Sequence, residues 1–247
     1  MLSFIVPAYN EELELPSTLL AIRAAAATNS EPYEIIVVND GSTDATATVA
    51  ATADARVLTI HRRQIAAARN AGARAARGGV FFFVDADTRI SPAHVTNARA
   101  ALAAGCAGGG ARVTTDGSVP LWGRIFVHVF SAFYFTAANL GAGAFLFTTR
   151  ENFEAAGGFD EQLFAGEEVY FTMALKKQGR FKLLREPIVT SGRKLRMHSA
   201  RHILGQTVGL ILRGKQGLRS RDKLDLWYEG KRETEVERKP AAGTAQK

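Results

Sequence analysis

The first ninety residues alternate between short apolar segments and longer, alanine-rich segments, and this alternation constrains the fold most strongly. Strands are predicted for the apolar segments at 3–8, 34–40, 57–60 and 80–85. Helices are predicted for the segments at 16–28, 43–53, 65–76 and 92–104. Strands that are apolar on both faces and alternate with helices indicate parallel βαβ units. The sequence therefore predicts an α/β fold with a mostly parallel central sheet.

Polar side chains follow these predicted strands at the point where each strand ends. Ligands of open parallel sheets bind beyond the carboxyl ends of the strands. We therefore expect a ligand site at that edge. The residues concerned are Tyr9, Asn10 and Glu12 after the first strand, Asp40 and Ser42 after the second, and Asp85 and Asp87 after the fourth.

The second half of the chain is less regular. Between Arg124 and Arg150 lies a charge-free span long enough to cross a bilayer. His128, Asn139 and a Gly-Ala-Gly segment at 141–143 interrupt it, which favours a helix over 122–138 followed by a buried strand over 144–148. A further helix is predicted over 167–178.

Length and composition predict one folded domain over residues 1–228. The segment 229–247 is charged and then rich in small residues, which predicts a disordered tail. The single cysteine, Cys106, allows no disulfide within the chain and favours a reducing, cytoplasmic location.

The net charge of +7 is unevenly distributed, because residues 193–223 carry nine Lys or Arg side chains and one acid. A basic stretch of this kind suits phosphate groups on a nucleotide, an anionic lipid or a nucleic acid. A solvated helix face explains the same pattern, so the sequence leaves both interpretations open.

Asp85 and Asp87 are one residue apart at the end of the apolar segment FFFV. In extended backbone two such side chains point the same way, and their repulsion is relieved by a hard divalent cation with oxygen ligands. The alternative is a pair of aspartates in an ordinary turn. The position directly after a fully apolar strand favours the metal site.

The segment GEEVYF, at 166–171, places Glu167 and Glu168 at a predicted helix start. Acids there interact favourably with the helix dipole, and one of them could equally serve as a general base at a cleft. The chain has no P-loop, no G-x-G-x-x-G motif after its first strand, no C-x-x-C pair and no G-x-S-x-G elbow. These absences argue against the corresponding nucleotide, zinc and hydrolase sites.

Taken together, these segments resemble glycosyltransferase family 2, whose members have the nucleotide-sugar-binding GT-A fold. The matching segments are SFIVPAYNEE, EIIVVNDGSTDAT, ARNAGARAARGGVFFFVDADTRISP, GAGAFLFTTRENFEAAGGFDE and GEEVYF, which occur in the family's order over residues 2–185. The resemblance implies a nucleotide-sugar-binding half at 1–104 and an acceptor-side part at 105–228. It also implies transfer of one sugar from a UDP- or GDP-sugar to an acceptor hydroxyl, with inversion and with Mg²⁺ or Mn²⁺.

The resemblance implies a role for each matching residue. The metal would be bound by Asp87, with His198 as a further candidate ligand, and Glu168 matches the position of the general base. The family usually has Glu-Asp where this chain has Glu167-Glu168, so the identity of the base stays open between the two. The donor nucleotide would be contacted by Pro7, Ala8, Tyr9, Glu12, Asp40, Ser42, Arg69, Asn70 and Asp85. A Gln-x-x-Arg-Trp segment typical of processive synthases is absent, which favours single-sugar transfer.

The acceptor side is less specified. The region 119–140 carries apolar aromatics, and together with the basic stretch it suggests peripheral contact with the inner face of an anionic membrane and a lipid-linked or cell-envelope acceptor, rather than nucleic acid. Burial against the sheet or in a homodimer explains the same side chains, which are Phe126, Phe130, Phe133, Tyr134 and Phe135. Two other functions are compatible with a sugar-nucleotide-binding sheet. The acidic segment after the first strand argues against a sugar nucleotidyltransferase, and a non-catalytic nucleotide-sugar-binding protein stays an alternative.

Overall fold

The computed structural model describes residues 1–117, 119–131, 134–135 and 138–219. The strands are β1 (Leu2–Ala8), β2 (Tyr33–Asp40), β3 (Arg56–Ile60), β4 (Val80–Val84), β5 (Thr88–Arg89), β6 (Cys106–Thr115), β7 (Phe145–Thr149) and β8 (Arg180–Thr190). The helices are α1 (Leu15–Ala27), α2 (Thr46–Thr52), α3 (Ile65–Ala75), α4 (Pro92–Ala103), α5 (Leu121–Ser131), α6 (Arg150–Ala155), α7 (Glu167–Gln178), α8 (Arg193–Met197) and α9 (Ala200–Gly217).

These strands form one mixed sheet in the order β3-β2-β1-β4-β7-β6-β8-β5. The four strands predicted in the first ninety residues pair in parallel, as the alternation of strands and helices indicates. The strand β7 runs antiparallel to both of its neighbours, β4 and β6. Two long strands, β6 and β8, were not predicted, because β6 contains three consecutive glycines and β8 contains several charges and a proline.

The FFFV segment of β4 explains why this sheet is covered on both faces. Phe82 and Val84 point into the core beneath α1 and α4, and Phe81 and Phe83 point into the core beneath α3 and α7. All four side chains are buried, as the period of two in a strand dictates. The ring of Phe83 lies 5.0 Å from that of Phe159, which precedes α7. The same packing therefore fixes β4 and the approach to α7 relative to each other.

The region of the predicted aromatic helix is only partly described. The helix α5 covers the first part of the predicted 122–138 segment, and β7 confirms the strand predicted over 144–148. Phe133, the side chain of Phe130 and the predicted tail at 229–247 lie outside what the structure describes. Within the described ranges, every helix is too short or too polar to span a bilayer.

Candidate active site

A buried arginine, Arg69 of α3, joins two distant parts of the chain at the carboxyl edge of the sheet. Its side chain is 1% exposed. One terminal nitrogen donates to Glu167 Oε1 at 2.5 Å, and the other donates to Asp85 Oδ1 at 2.9 Å and to the carbonyl of Gly143 at 3.0 Å. A guanidinium can bind several acceptors in fixed geometry, so Arg69 sets the distance between the two carboxylates.

The carboxylate of Asp85 follows β4 directly and faces both Arg69 and Asp87. Burial raises the pKa of Asp85 to about 6, with a smaller contribution from Asp87, and Arg69 opposes this shift. The side chain keeps 27% of its surface exposed, so solvent reaches it at the carboxyl edge of the sheet. The two aspartates therefore influence each other electrostatically at this edge of the sheet.

The two glutamates at the start of α7 have different environments. Glu167 is buried and forms the ion pair with Arg69. Burial and, next, the neighbouring Glu167 carboxylate raise the pKa of Glu168 to about 8. The hydroxyl of Tyr134 is within hydrogen-bond reach of Glu168 and also donates to the Gly141 carbonyl at 3.1 Å. The raised pKa of Glu168 suits proton transfer near neutral pH.

The start of α7 follows from its sequence. Gly166, the N-cap residue, has φ of 70°, a left-handed conformation that glycine adopts without strain. The chain therefore turns sharply there, and the first two helical residues are the two glutamates. Their position at the N-terminus of a twelve-residue helix favours negative charge.

The second aspartate of the pair, Asp87, contacts an arginine that lies more than one hundred residues later in the chain. Its Oδ2 is 3.2 Å from a terminal nitrogen of Arg193, the first residue of α8, and its Oδ1 accepts from the Thr190 hydroxyl at 3.2 Å. Arg193 also binds Glu11 through both terminal nitrogens, each at 2.6 Å. The Asp87 side chain is 16% exposed.

The loops after β1 and β2, where the donor nucleotide was predicted, are hydrogen-bonded to each other. The Asn10 backbone donates to the Ser42 hydroxyl at 3.0 Å, and Glu12 Oε2 accepts from the Ala45 backbone at 2.8 Å. The guanidinium of Arg63 lies 3.3 Å from the centre of the Tyr9 ring. A flat cation on a flat ring forms a surface of the kind on which a nucleobase stacks.

Two other residues that were predicted to contact the donor nucleotide have partners within the protein that the sequence did not indicate. The carboxylate of Asp40 accepts three backbone N–H groups from residues 62–64, at 2.6 to 2.8 Å, and so fixes the loop after β3. Asn70 donates to the carbonyl of Phe159 and accepts from its backbone N–H, both at 2.9 Å. Both side chains are buried, and their contact with a nucleotide stays a prediction.

Pro7 and Ala8 lie at the carboxyl end of β1, where both residues are buried in the sheet. Ser42 stands in the loop after β2, beside Asn39, whose side-chain oxygen accepts from the Ser42 backbone at 3.1 Å. These positions border the same sheet edge as Asp85. Their predicted contacts with the base and ribose stay predictions.

The metal roles predicted for Asp87 and His198 stay predictions. The His198 ring stacks on that of His202 at 5.2 Å. Among the described residues, no group of three or more His, Cys, Asp or Glu side chains is arranged around a common point. Mg²⁺ in nucleotide enzymes is bound by one or two carboxylates, with water and phosphate completing its shell. The half-buried Asp87 carboxylate at the cleft fits that pattern.

Gly143 provides a test of the Arg69 cluster. A Cβ at this position would lie 2.7 Å from a terminal nitrogen of Arg69, which three acceptors hold in place. We expect Gly143→Ala to lower the free energy of unfolding by about 1–3 kcal/mol, because overpacking forces the cluster apart. Denaturant unfolding measures this. Gly79→Ala is the matched control, since no atom lies within 4 Å of its added Cβ, and equal stability of the two variants would contradict the prediction.

Comparison with known proteins shows the family and the fold of this chain. A family model described as "Glycosyl transferase family 2" matches residues 3–153, which is more than half of the chain. The chain belongs to glycosyl transferase family 2. The match includes β1 to β4 with the Asp85–Asp87 segment and ends before Glu167. The candidate base of this family 2 chain therefore lies beyond the matched region.

Curated family 2 relatives match a limited stretch. The dolichyl-phosphate beta-glucosyltransferase of Drosophila melanogaster is 46% identical over 99 residues, 35% of this chain and 30% of that protein. The undecaprenyl-phosphate 4-deoxy-4-formamido-L-arabinose transferase of Shewanella sediminis is 33% identical over 102 residues, 38% of this chain and 31% of that protein. This family 2 chain thus matches about three tenths of the length of either relative.

A solved structure extends the similarity to most of the fold. The mannosyltransferase from Pyrobaculum calidifontis in complex with GDP-Man and Mn²⁺ superposes with a TM-score of 0.64 at 22% identity, covering 84% of this chain and 61% of that one. The family 2 chain therefore has the GT-A fold that its sequence predicts. At this identity the likeness concerns the fold alone.

Three residues at this site were not predicted from the sequence. Arg193 and Lys194, which influences the Asp85 carboxylate, belong to the basic stretch at 193–223 and carry no local motif. Glu11 stands next to the predicted Glu12 but faces Arg193 instead. Their proximity depends on β8, which returns the chain to the Asp85–Asp87 segment and which the sequence did not predict.

Proposed function

We propose that this protein transfers one sugar from a nucleoside-diphosphate sugar to a lipid-linked acceptor, with inversion at the sugar carbon and with a divalent cation at Asp87. The donor is a UDP- or GDP-sugar. Glu168 is the general base. Asp85 contacts the ribose or the sugar, and Arg69 positions Asp85 relative to α7.

The observation that carries this proposal is the bridge from Asp85 through Arg69 to Glu167. A glycosyl transfer needs two acidic places with different tasks, one beside the leaving diphosphate and one beside the incoming hydroxyl. The 2.9 Å and 2.5 Å contacts of Arg69 hold a donor-side carboxylate and the start of α7 in a single rigid cluster. Family membership and the GT-A fold support the same division of the cleft.

On the donor side, the leaving group gains negative charge as the bond to the sugar breaks. A divalent cation, when bound, neutralises that charge on the diphosphate oxygens. The chain contributes the Asp87 carboxylate as a ligand, and Arg193 and Lys194 add positive charge at the same edge. The Tyr9 ring and the loops around Ser42 and Glu12 form the surface for the nucleoside.

On the acceptor side, the attacking hydroxyl must lose its proton. Glu167 is neutralised by Arg69, so its carboxylate is committed to the ion pair. Burial and the Glu167 carboxylate raise the pKa of Glu168, which gives Glu168 the proton affinity that a general base needs. Attack from the side of α7, opposite the diphosphate, is a single displacement and inverts the sugar carbon.

The lipid-linked acceptor is supported by the exposed face of α5. Leu121, Ile125 and Val129 are spaced four residues apart on one helix face, and they are 71%, 56% and 63% exposed. Arg124 is an exposed cation on the same helix, and Arg201 is exposed on α9. An apolar stripe with neighbouring cations suits the interface of an anionic bilayer. The two curated relatives are also named for polyprenyl-phosphate substrates.

Membrane contact through α5 gives a matched pair of substitutions. We expect Leu121→Gln to reduce co-flotation with vesicles of phosphatidylglycerol and phosphatidylcholine, because it removes apolar surface from the inserted face. Leu20→Gln is the control, since Leu20 is equally exposed, at 70% against 71%, but lies on α1. Vesicle flotation measures both. Equal flotation of the two variants, or none by the unmodified protein, would contradict the membrane proposal.

The proposed activity is tested by sugar transfer. Radiolabelled UDP- and GDP-sugars are incubated with the protein, Mn²⁺ and a polyprenyl phosphate, and label in the organic phase is counted together with the nucleoside diphosphate released. Stoichiometric labelled lipid and free nucleoside diphosphate are expected. Donor binding without either product, across the whole panel of acceptors tried, would favour the non-catalytic nucleotide-sugar-binding protein instead.

A further inference from the structure

Arg193 contacts the carboxylate of Asp87, which is the proposed ligand of the divalent cation. Its side chain is 9% exposed, and one terminal nitrogen is 3.2 Å from Asp87 Oδ2. Two hydrogen bonds of 2.6 Å, one from each terminal nitrogen, anchor the same guanidinium to the Glu11 carboxylate. Neighbouring backbone contacts fix this geometry, because the Ser191 N–H donates to the Asp87 carbonyl at 3.1 Å. The contact is therefore part of the packed fold and not a chance meeting of surface side chains.

A guanidinium and a divalent cation cannot share one carboxylate oxygen without repulsion. The repulsion between a divalent and a monovalent cation in neighbouring positions is present even in bulk water, and it grows in a partly buried site. The three acids around Arg193 are Glu11, Glu14 and Asp87, and their charges stabilise its protonated form. The arginine thus supplies the counter-charge at Asp87 in the protein without ligand.

We propose that Arg193 competes with the divalent cation for Asp87, so that a cation binding to the donor-free protein has to displace this guanidinium. The inference rests on the proposed metal role of Asp87. The diphosphate of a donor carries acceptor oxygens for both the cation and the guanidinium, and so it removes the competition. Arg193 is in this sense a positioning residue that suppresses metal binding until the donor is present.

The test measures Mn²⁺ alone, without nucleotide. Free Mn²⁺ is titrated against the protein by electron paramagnetic resonance, and Arg193→Gln is expected to bind Mn²⁺ about tenfold more tightly than the unmodified protein. Arg196→Gln is the matched control, because Arg196 lies on the same helix and pairs with Asp116 at 3.7 Å. Its Mn²⁺ affinity should change by no more than about twofold, since charges further away are screened.

Two double variants keep the test decisive if the single substitution unfolds the protein. Glu11→Gln with Arg193→Gln replaces the ion pair by two amides without changing the net charge, and it should also bind Mn²⁺ more tightly. Adding Asp87→Ala to Arg193→Gln should abolish the gain. An affinity equal to or below that of the unmodified protein, or a gain that survives Asp87→Ala, would overturn the proposal. The proposed function is judged separately, on nucleotide-sugar binding by the unmodified protein.

Discussion

Glu168→Gln is expected to lower the turnover number by roughly 10²–10⁴-fold while the donor dissociation constant stays nearly unchanged. The amide has almost the shape of the carboxyl group but cannot accept the proton of the acceptor hydroxyl. Donor binding depends on the other side of the cleft, at Asp85 and Asp87. Steady-state kinetics with a labelled nucleotide sugar, together with calorimetric donor titration, separates the two quantities.

Glu167→Gln is the informative comparison because the two glutamates are adjacent. It removes a charged partner of Arg69, whose guanidinium is buried, and loss of one member of a buried ion pair costs about 3–5 kcal/mol. We therefore expect Glu167→Gln to unfold at lower denaturant and Glu168→Gln to retain its stability. A stable, inactive Glu167→Gln protein beside a fully active Glu168→Gln protein would show that the base is Glu167.

The raised pKa of Glu168 predicts a pH dependence in the same enzyme. The base must be ionised to act, so kcat/KM in the unmodified protein is expected to rise with pH towards the pKa of about 8. For stability the sign is opposite. A carboxyl group whose pKa is raised by folding stabilises the fold fully below its ordinary value of 4.5, and this contribution is lost as the pH rises through about 8.

Asp87→Ala is expected to abolish the part of donor binding that depends on metal. The substitution removes the carboxylate that faces the cleft, and losing a ligand should weaken Mn²⁺-dependent nucleotide binding by ~10²-fold or more, since even outer partners of ligands contribute 10–100-fold. Calorimetric titration of the nucleoside diphosphate with and without Mn²⁺ measures the difference.

The control for Asp87→Ala is Asp116→Asn. Asp116 is also a partly buried aspartate paired with an arginine, Arg89 at 2.7 Å, and its Asn variant keeps an acceptor for the Gly192 backbone. We expect its metal-dependent binding to match that of the unmodified protein. If Asp87→Ala retained the full effect of Mn²⁺ on nucleotide binding, the metal would have to be placed elsewhere.

The first half of the fold was predictable because its signals are local. Each strand and helix there is recognisable from its own residues, as an apolar run in β1, β2 and β4 or as an alanine-rich helix between them. Parallel pairing follows from the alternation of strands and helices. The strands β6 and β8 lack such signals. Cys106–Thr115 contains three glycines, of which Gly108 and Gly109 allow close packing against Phe147, and Arg180–Thr190 is half exposed and charged. Only tertiary pairing makes these segments strands.

The sequence predicted which acids belong to the candidate site, but it did not predict which arginines pair with them. The acids Asp85, Asp87, Glu167 and Glu168 stood out because they follow a buried strand or begin a helix, although turns and helix starts use the same residues for structural reasons. The use of Arg69 as a bridge between them needs two contacts spanning 16 and 98 residues of sequence. Arg193 meets Glu11 across 182 residues. No spacing rule in one sequence encodes pairs of that kind.

The most direct measurement of the central claim is thermal unfolding of the unmodified protein with a panel of UDP- and GDP-sugars, with and without Mn²⁺. A ligand present at about one hundred times its dissociation constant stabilises the folded state by ~2.7 kcal/mol, which is a clear shift in Tm. We expect such a shift for a specific nucleotide sugar with Mn²⁺, and its loss in Asp87→Ala. No shift with any nucleotide sugar in the presence of Mn²⁺, or an equal shift in Asp87→Ala, would contradict metal-dependent donor binding at Asp87.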